Sequence, residues 1–531
     1  MSDRRPHEAA TTRISAPPDP GDDVPARPNR VRDGVAVALL VAALLLPWSI
    51  EFGVGVPGSN GLLFAIGGVV TLLAIAAALI PHVGPWQLTS PHPEVRRATR
   101  ARFWLGIAYV ACVLGFVGFH LVETVRDGGT GEVPPGAGPG MWLGLAGALL
   151  ASQPPIARNT LTDNGFGRWY GAVRILGLVS IGLAALSVMF NLFWRLRYLF
   201  VADVQFAGED VAVVVTAVLY GGVAMVALVI GSGWLLQKTP AARLATTALG
   251  AATALAGVLV WVAGVGRDID AFHGIAENTS TAAIGYEGYL AWTAAAAIVA
   301  PTTLYAVFLV KPPTLAVYRK AALKCLTLIA FWSFAAAGLR VTDYLIALAL
   351  SLPHIGYDSF ALTVFNLFTG GIAVWLRRQL AKGGLSTTVI AAFSAVLTVF
   401  TAAQLVVGVA LAPRYVDPVP RSPDAIYGND VAQQITSTFD VVICALSLAV
   451  LVGVLLTGPL ATLVLRRRTP EVAEVAEVAA PTTVLTPAPA AAPTTEIPAP
   501  TTALRIQRRP RSSDVTTALR IARRPKPPAS E

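Results

Sequence analysis

Runs of apolar positions are the strongest pattern in the chain, and twelve are long enough to cross a ~30 Å hydrocarbon core as helices. They cover 34–50, 60–80, 103–123, 140–156, 170–193, 210–236, 244–265, 289–310, 325–350, 360–376, 388–412 and 439–465. The pattern predicts an all-α, polytopic transmembrane helical bundle over 33–465. A disordered cytoplasmic N-tail over 1–32 and a disordered Pro/Ala/Thr/Arg-rich C-tail over 466–531 are expected to flank it. The 140–156 stretch, GMWLGLAGALLASQPPI, is short and ends at Pro154-Pro155, which leaves open whether it crosses fully.

The polar positions between these runs divide by sign. With twelve spans, alternate loops should be cytoplasmic and rich in Lys and Arg. One set of loops holds sixteen bases, from Arg96 through Lys382, against Glu94 and Asp163. The other set holds six bases against fifteen acids, from Glu51 through Asp430. Only the 194–209 loop, with Arg195 and Arg197, runs against the trend. Both termini are therefore expected on the cytoplasmic side. Tryptophan favours the membrane–water interface, and ten of the eleven fall near predicted span ends, with Trp332 alone well inside one.

Composition agrees. Of 531 residues 54% are hydrophobic and 13% charged, with a mean hydropathy of +0.62, whereas soluble chains carry about 25% charged residues. The net charge of +9 sits beside apolar runs and in the tails, a distribution that orients a protein in a bilayer and does not imply nucleic acid. Cys112, Cys325 and Cys444 lie in or beside apolar runs with no metal-ligand spacing, so neither a disulfide framework nor a metal site is expected. The N-terminal stretch before residue 34 is too long for the charged region of a signal peptide, and the first span is expected to be retained.

Ionisable residues inside a span are costly and so mark candidate sites. Arg340 and Asp343 in GLRVTDYL stand three apart on one helix face, where Arg can donate paired hydrogen bonds to the carboxylate. They read either as a substrate- or ion-coupling pair or as a structural ion pair locking the helix to a neighbour. His120 and Glu123 share the same spacing near the end of the third span, as a proton relay or as solvated interfacial groups. Glu51 in a Gly-rich turn, and Asp268, Asp270, His273 and Glu277 in one acidic loop, are weaker candidates. Gly67-Gly68, Gly221-Gly222, Gly370-Gly371 and the mid-span Pro301 could mark broken or closely packed helices.

No phosphate loop, nucleophile elbow or HExxH motif occurs, so no catalytic residue is named and no cofactor is expected. The major-facilitator loop signature and internal repeats of the two halves are also missing. The C-tail does repeat itself: PTTALRIQRRP at 500–510 and VTTALRIARRP at 515–525. Each places an apolar residue three after the first Thr, namely Leu504 for Thr501 and Leu519 for Thr516. That spacing resembles substrates of actinobacterial Ser/Thr kinases, and, once phosphorylated, ligands of forkhead-associated domains. Thr501 and Thr516 are therefore candidate phosphosites, with such kinases and readers as expected partners besides the lipid bilayer. Phosphate there would weaken the attraction of neighbouring arginines to an anionic leaflet.

LLLPWSIEFGVGVPGSNGLLFAIG and TVRDGGTGEVPPGAGPGMWLGLAGALLASQPP resemble segments of a family of uncharacterised polytopic membrane proteins of mycobacteria and related actinobacteria. The resemblance implies a multi-pass protein of a bacterial plasma membrane and transfers no site residues. Three functions stay open. The leading one is a non-enzymatic, transporter-like bundle with regulatory tails. A membrane scaffold recruiting cytoplasmic partners through its tails is the alternative, and a lipid-linked glycosyltransferase the third.

Overall fold

A computed structural model describes residues 26–49, 52–56, 58–83, 92–126, 136–156, 166–196, 208–263, 286–307, 314–351, 357–411 and 438–457. Among them the chain is 90% helical and has no strand. The helices are α1 (Ala26–Leu45), α2 (Gly61–Leu79), α3 (His92–Arg126), α4 (Pro139–Ser152), α5 (Phe166–Leu196) and α6 (Gly208–Leu235). They continue with α7 (Pro240–Ala263), α8 (Ala291–Tyr305), α9 (Leu315–Ala349), α10 (Tyr357–Lys382), α11 (Thr387–Leu411) and α12 (Thr438–Thr457). A 3-10 turn (Ile80–His82) extends α2, and a π-helical turn (Tyr286–Leu290) leads into α8.

Local chemistry sets the ends. The Asn60 carboxamide accepts from the Leu62 N–H at 2.8 Å and caps α2. The Thr239 hydroxyl accepts from the Ala242 N–H at 3.2 Å beside Pro240, the first residue of α7. Gly383, at φ +74°, closes α10 with an N–H donated to the Gln379 carbonyl. Inside the helices the hydroxyls of Thr71, Thr253, Thr327 and Thr401 donate back to the carbonyl four residues earlier, so these polar groups are satisfied without water.

Nine of the described helices are long and apolar enough to cross a membrane, fewer than the twelve spans expected from the sequence. The shortfall falls on α1, α4 and α8. α1 carries Arg27, Arg30, Arg32 and Asp33 in its first half. α4 has 14 residues, about 21 Å at 1.5 Å per residue, well short of a ~30 Å core. α8 has 15 residues and is bounded by π-helical backbone. α1 also begins at Ala26, so residues 26–32 of the expected N-tail are helical.

The two short helices form the centre. Every residue of α4 except Leu149 is buried, as is all of Ala291–Val299 in α8. Around them α7 and α9 bury half of their apolar windows, while α2 and α3 bury 22%. The outward faces of the outer helices are rows of exposed apolar side chains, including Leu114, Val122, Leu178, Met189 and Val399. Contiguous apolar faces of this extent suit lipid, and the chain is read as a membrane protein.

Trp142 and Trp292 depart from the expected interfacial belt. Both are fully buried, because α4 and α8 lie inside the bundle. Trp142 packs on Tyr289 and Trp292 on Phe439, with centroids 5.1 and 5.9 Å apart.

Successive helices run in opposite directions. Contacts tie the starts of α3, α5 and α9 to the ends of α4, α6, α8 and α10: Arg102 to the Ala151 carbonyl, Tyr170 to Thr302, Lys324 to Gln237, and Arg319 to the Ala381 carbonyl. The start of α7 joins them through Arg243, stacked on the Tyr170 ring. The loops rich in Lys and Arg thus collect at one end of the bundle, called the basic end below. At the other end the start of α4 is bonded to the turn after α1, with the Gly138 N–H donating to the Trp48 carbonyl at 2.6 Å.

Candidate functional site

Arg340 and Asp343 lie one turn apart on α9, toward the end opposite the basic one. Asp343 is 8% exposed, and its Oδ2 accepts a 2.7 Å hydrogen bond from the Tyr220 hydroxyl of α6. The two do not form the expected ion pair: no Arg340–Asp343 bridge occurs among the described residues, and Arg340 Nε is buried with no hydrogen-bond partner. The Asp343 carboxylate therefore links two helices instead of closing a loop on its own. Tyr220 was missed in the sequence because a tyrosine in an apolar run reads as packing.

His120 and Glu123 do come together. Nδ1 of His120 is 3.1 Å from Oε2 of Glu123, with the imidazole buried against the edges of Phe116 and Phe119. No group of three His, Cys, Asp or Glu that could hold a metal occurs among the described residues. Glu51, Asp268, Asp270, His273, Glu277, Thr501 and Thr516 lie outside the described residues.

The densest ionic cluster was absent from the sequence reading. Asp33 of α1 is buried at the basic end with Arg32, Arg102 and His82 around it. Its Oδ1 accepts from Arg102 Nη2 at 2.7 Å and from Arg32 Nε at 3.0 Å. Its Oδ2 lies 3.0 Å from His82 Nε2 and 3.4 Å from Arg102 Nη1, so Arg102 grips the carboxylate with both arms of its fork. One further donor of each arginine reaches the chain at the end of α4: Arg102 Nε to the Ala151 carbonyl at 2.6 Å, and Arg32 Nη1 to the Pro154 carbonyl at 2.7 Å. Those carbonyls belong to the last turn of α4 and the segment after it, where backbone acceptors lack helical partners and the helix dipole favours cations.

Two further bonds complete the clamp. Asn29 exchanges a pair of hydrogen bonds with the Ile156 backbone, at 3.0 and 2.9 Å. Gln153 donates from Nε2 to the Ala297 carbonyl at 2.8 Å. Ala297 is four residues before Pro301, which has no N–H to give it. The glutamine thus satisfies the acceptor that the mid-helix proline leaves open, and α4 is fastened to α8 at that point.

A usable signal for this clamp existed. Asn29, Arg32, Asp33, Ala36, Leu40 and Ala43 are all buried and fall at helical spacing. The inward face of α1 therefore continues into its polar first turns. By its place before an apolar run, Arg102 reads in the sequence as one of the orienting loop bases.

Residues 29–459 match a domain of unknown function, DUF7937. The chain belongs to that family. The matched segment opens on Asn29, the first residue held in the clamp, and closes two residues after α12, so the family's domain is the helical bundle. The Asp33 clamp and the Asp343–Tyr220 contact of this chain both lie within the matched residues. No curated protein and no solved structure matches the chain.

Proposed function

We propose that this member of the DUF7937 family is a transporter-like, multi-pass protein of a bacterial plasma membrane, with both termini in the cytoplasm. The observation that carries the reading is Asp343, a carboxylate buried within a membrane-length helix and bonded to a hydroxyl of a different helix. Such a contact is exchangeable. A proton or cation on the carboxylate weakens its hold on Tyr220, and α6 is then less tied to α9. Arg340, one turn away with a donor to spare, supplies a nearby positive charge that Asp343 can meet in a second arrangement. Two short central helices add support, since discontinuous helices surround the sites of many transporters. The orientation follows from the basic end and the positive-inside rule, and the actinobacterial lineage from the sequence resemblance alone.

The test is flux in proteoliposomes holding the full chain and a pH-reporting dye, under an imposed proton or cation gradient. Wild type should carry current that Asp343→Asn abolishes and Tyr220→Phe reduces, with protein yield and unfolding midpoint retained. An absence of flux in wild type, or flux indifferent to both substitutions, would overturn the reading.

The tail repeat favours a regulatory role beside this, or a scaffold in its place. Two near-identical Thr-Thr-Ala-Leu-Arg-Ile copies with flanking arginines stand fifteen residues apart. Incubation of the full chain with a Ser/Thr kinase should place phosphate on Thr501 and Thr516. A tail that acquires none at either position sinks the regulatory reading.

A further inference from the structure

A cavity of about 110 Å³ opens at the basic end between the starts of α5 and α7 and the end of α6. Its floor is apolar and buried, formed by Trp234 and by Val299 of the central helix α8. Its walls are the half-buried guanidinium side chains of Arg174 and Arg243, and Lys238 stands exposed at its mouth. None of these three cations is ion-paired among the described residues.

The cavity is organised before any ligand arrives. Arg243 Cζ lies 3.9 Å from the centroid of the Tyr170 ring, a cation–π stack that fixes the guanidinium over the opening. The ring is held in turn by a 2.8 Å hydrogen bond between the Tyr170 hydroxyl and Thr302 of α8. A fourth cation, Lys324, is placed beside the mouth through a 2.7 Å bond to Gln237. Arg243 also sits in the first turn of α7, where the helix dipole is positive. Like charges so assembled repel one another until an anion enters. A water needs roughly 10–15 Å³ of such space, so the cavity admits a polyatomic oxyanion with its waters.

We propose that this cavity binds a phosphate group, delivered as the headgroup of an anionic phospholipid. Arginine forks suit phosphate oxygens, and lysine adds a mobile point charge. The lipid source is favoured by what adjoins the cavity. The face of α5 next to Arg174 carries Ile175, Leu178 and Val179, all exposed, as a track for acyl chains. The site stands whether or not a solute crosses the bundle, because neither Asp343 nor Tyr220 lines it and Tyr220 lies fourteen residues before Trp234 along α6.

Delipidated full-length protein in a neutral detergent provides the test, read by unfolding midpoint and by native mass spectrometry. One arm adds phosphatidylglycerol against phosphatidylcholine; the other adds inorganic phosphate against chloride at equal ionic strength. Wild type should be stabilised by phosphatidylglycerol and not by phosphatidylcholine, and should retain the anionic lipid in the spectrometer. Arg174→Gln combined with Arg243→Gln should weaken that binding about tenfold or more, as loss of charge-assisted hydrogen bonds implies. Lys238→Gln, an exposed change that cannot unfold the bundle, should weaken it to a smaller degree. A response to inorganic phosphate and not to the lipid would keep the anion site and replace its source with a free solute. No response in either arm, or lipid affinity unchanged in both the Arg174→Gln, Arg243→Gln double variant and Lys238→Gln, would overturn the proposal.

Discussion

A carboxylate taken out of water costs several kcal/mol unless charges and donors replace its hydration. Asp33 meets that condition with contributions from three elements: Arg32 on its own helix, His82 beyond α2 and Arg102 at the start of α3. Removal of one partner strands the others. Arg102→Ala should therefore destabilise the bundle by about 3–5 kcal/mol, the cost typical of a broken buried pair. The Arg102→Met, Asp33→Leu double variant should be less damaging than the sum of its single changes, because the Asp33–Arg102 bond is lost only once, while the stranding of Arg32 is common to the double variant and to Asp33→Leu alone. Thermal unfolding of the purified variants in detergent checks both statements. Additive losses would mean that the carboxylate and guanidinium do not act as a unit. The pairing spans 69 positions of sequence, and its acid and one of its bases sit at the edge of an apolar run. From the sequence such residues read as a flanking tail, and only the helical spacing from Asn29 to Ala43 separates the two readings.

At the scale of the element, α4 and α8 were recognisable as apolar runs but not as the core. An apolar run reports that a segment avoids water; whether it faces lipid or protein is decided by its neighbours. Here the deciding feature is small residues. A Cβ at Gly250 of α7 would overlap Ala296 and the Trp292 backbone of α8, and one at Gly144 of α4 would overlap the Tyr109 hydroxyl. Gly250→Leu should therefore separate α7 from α8 and cost more stability than Gly222→Leu, where a Cβ would meet nothing within 4 Å. Equal unfolding midpoints for the two would contradict this packing. The Gln153–Ala297 bond yields a sharper test. Gln153→Leu strands the buried Ala297 carbonyl, at a cost of about 1–3 kcal/mol. Pro301→Ala returns an N–H to that carbonyl, so it should restore most of the loss in the Gln153→Leu background. If the proline replacement gives no rescue there, the glutamine is not acting as a substitute donor.

For the whole molecule, the alternation of basic and acidic loops carries the most information, because a positive-inside bias is a sum over many residues and survives errors at any one. Every described stretch with an expected span does contain a helix, and consecutive helices do run in opposite directions. What the sum cannot tell is which helices cross: α1, α4 and α8 fall short in charge, length or backbone regularity, and only burial explains why. If α4 nonetheless carries the chain from one side to the other within the bundle, the basic loops all remain on one face. That is measurable. With Cys112, Cys325 and Cys444 changed to alanine, single cysteines at Lys382, at the end of α10, and at Val54, between α1 and α2, occupy exposed positions at opposite ends. A membrane-impermeant maleimide added to intact cells should label Val54→Cys and spare Lys382→Cys, and both should react once the membrane is opened. Labelling of both in intact cells would break the alternation somewhere between α2 and α10. A cysteine at Arg168, at the start of α5, then locates the break. If it reacts in intact cells, the failure lies at or before α4; if it is protected, the failure lies in α5 or beyond it, with α8 the first element to suspect.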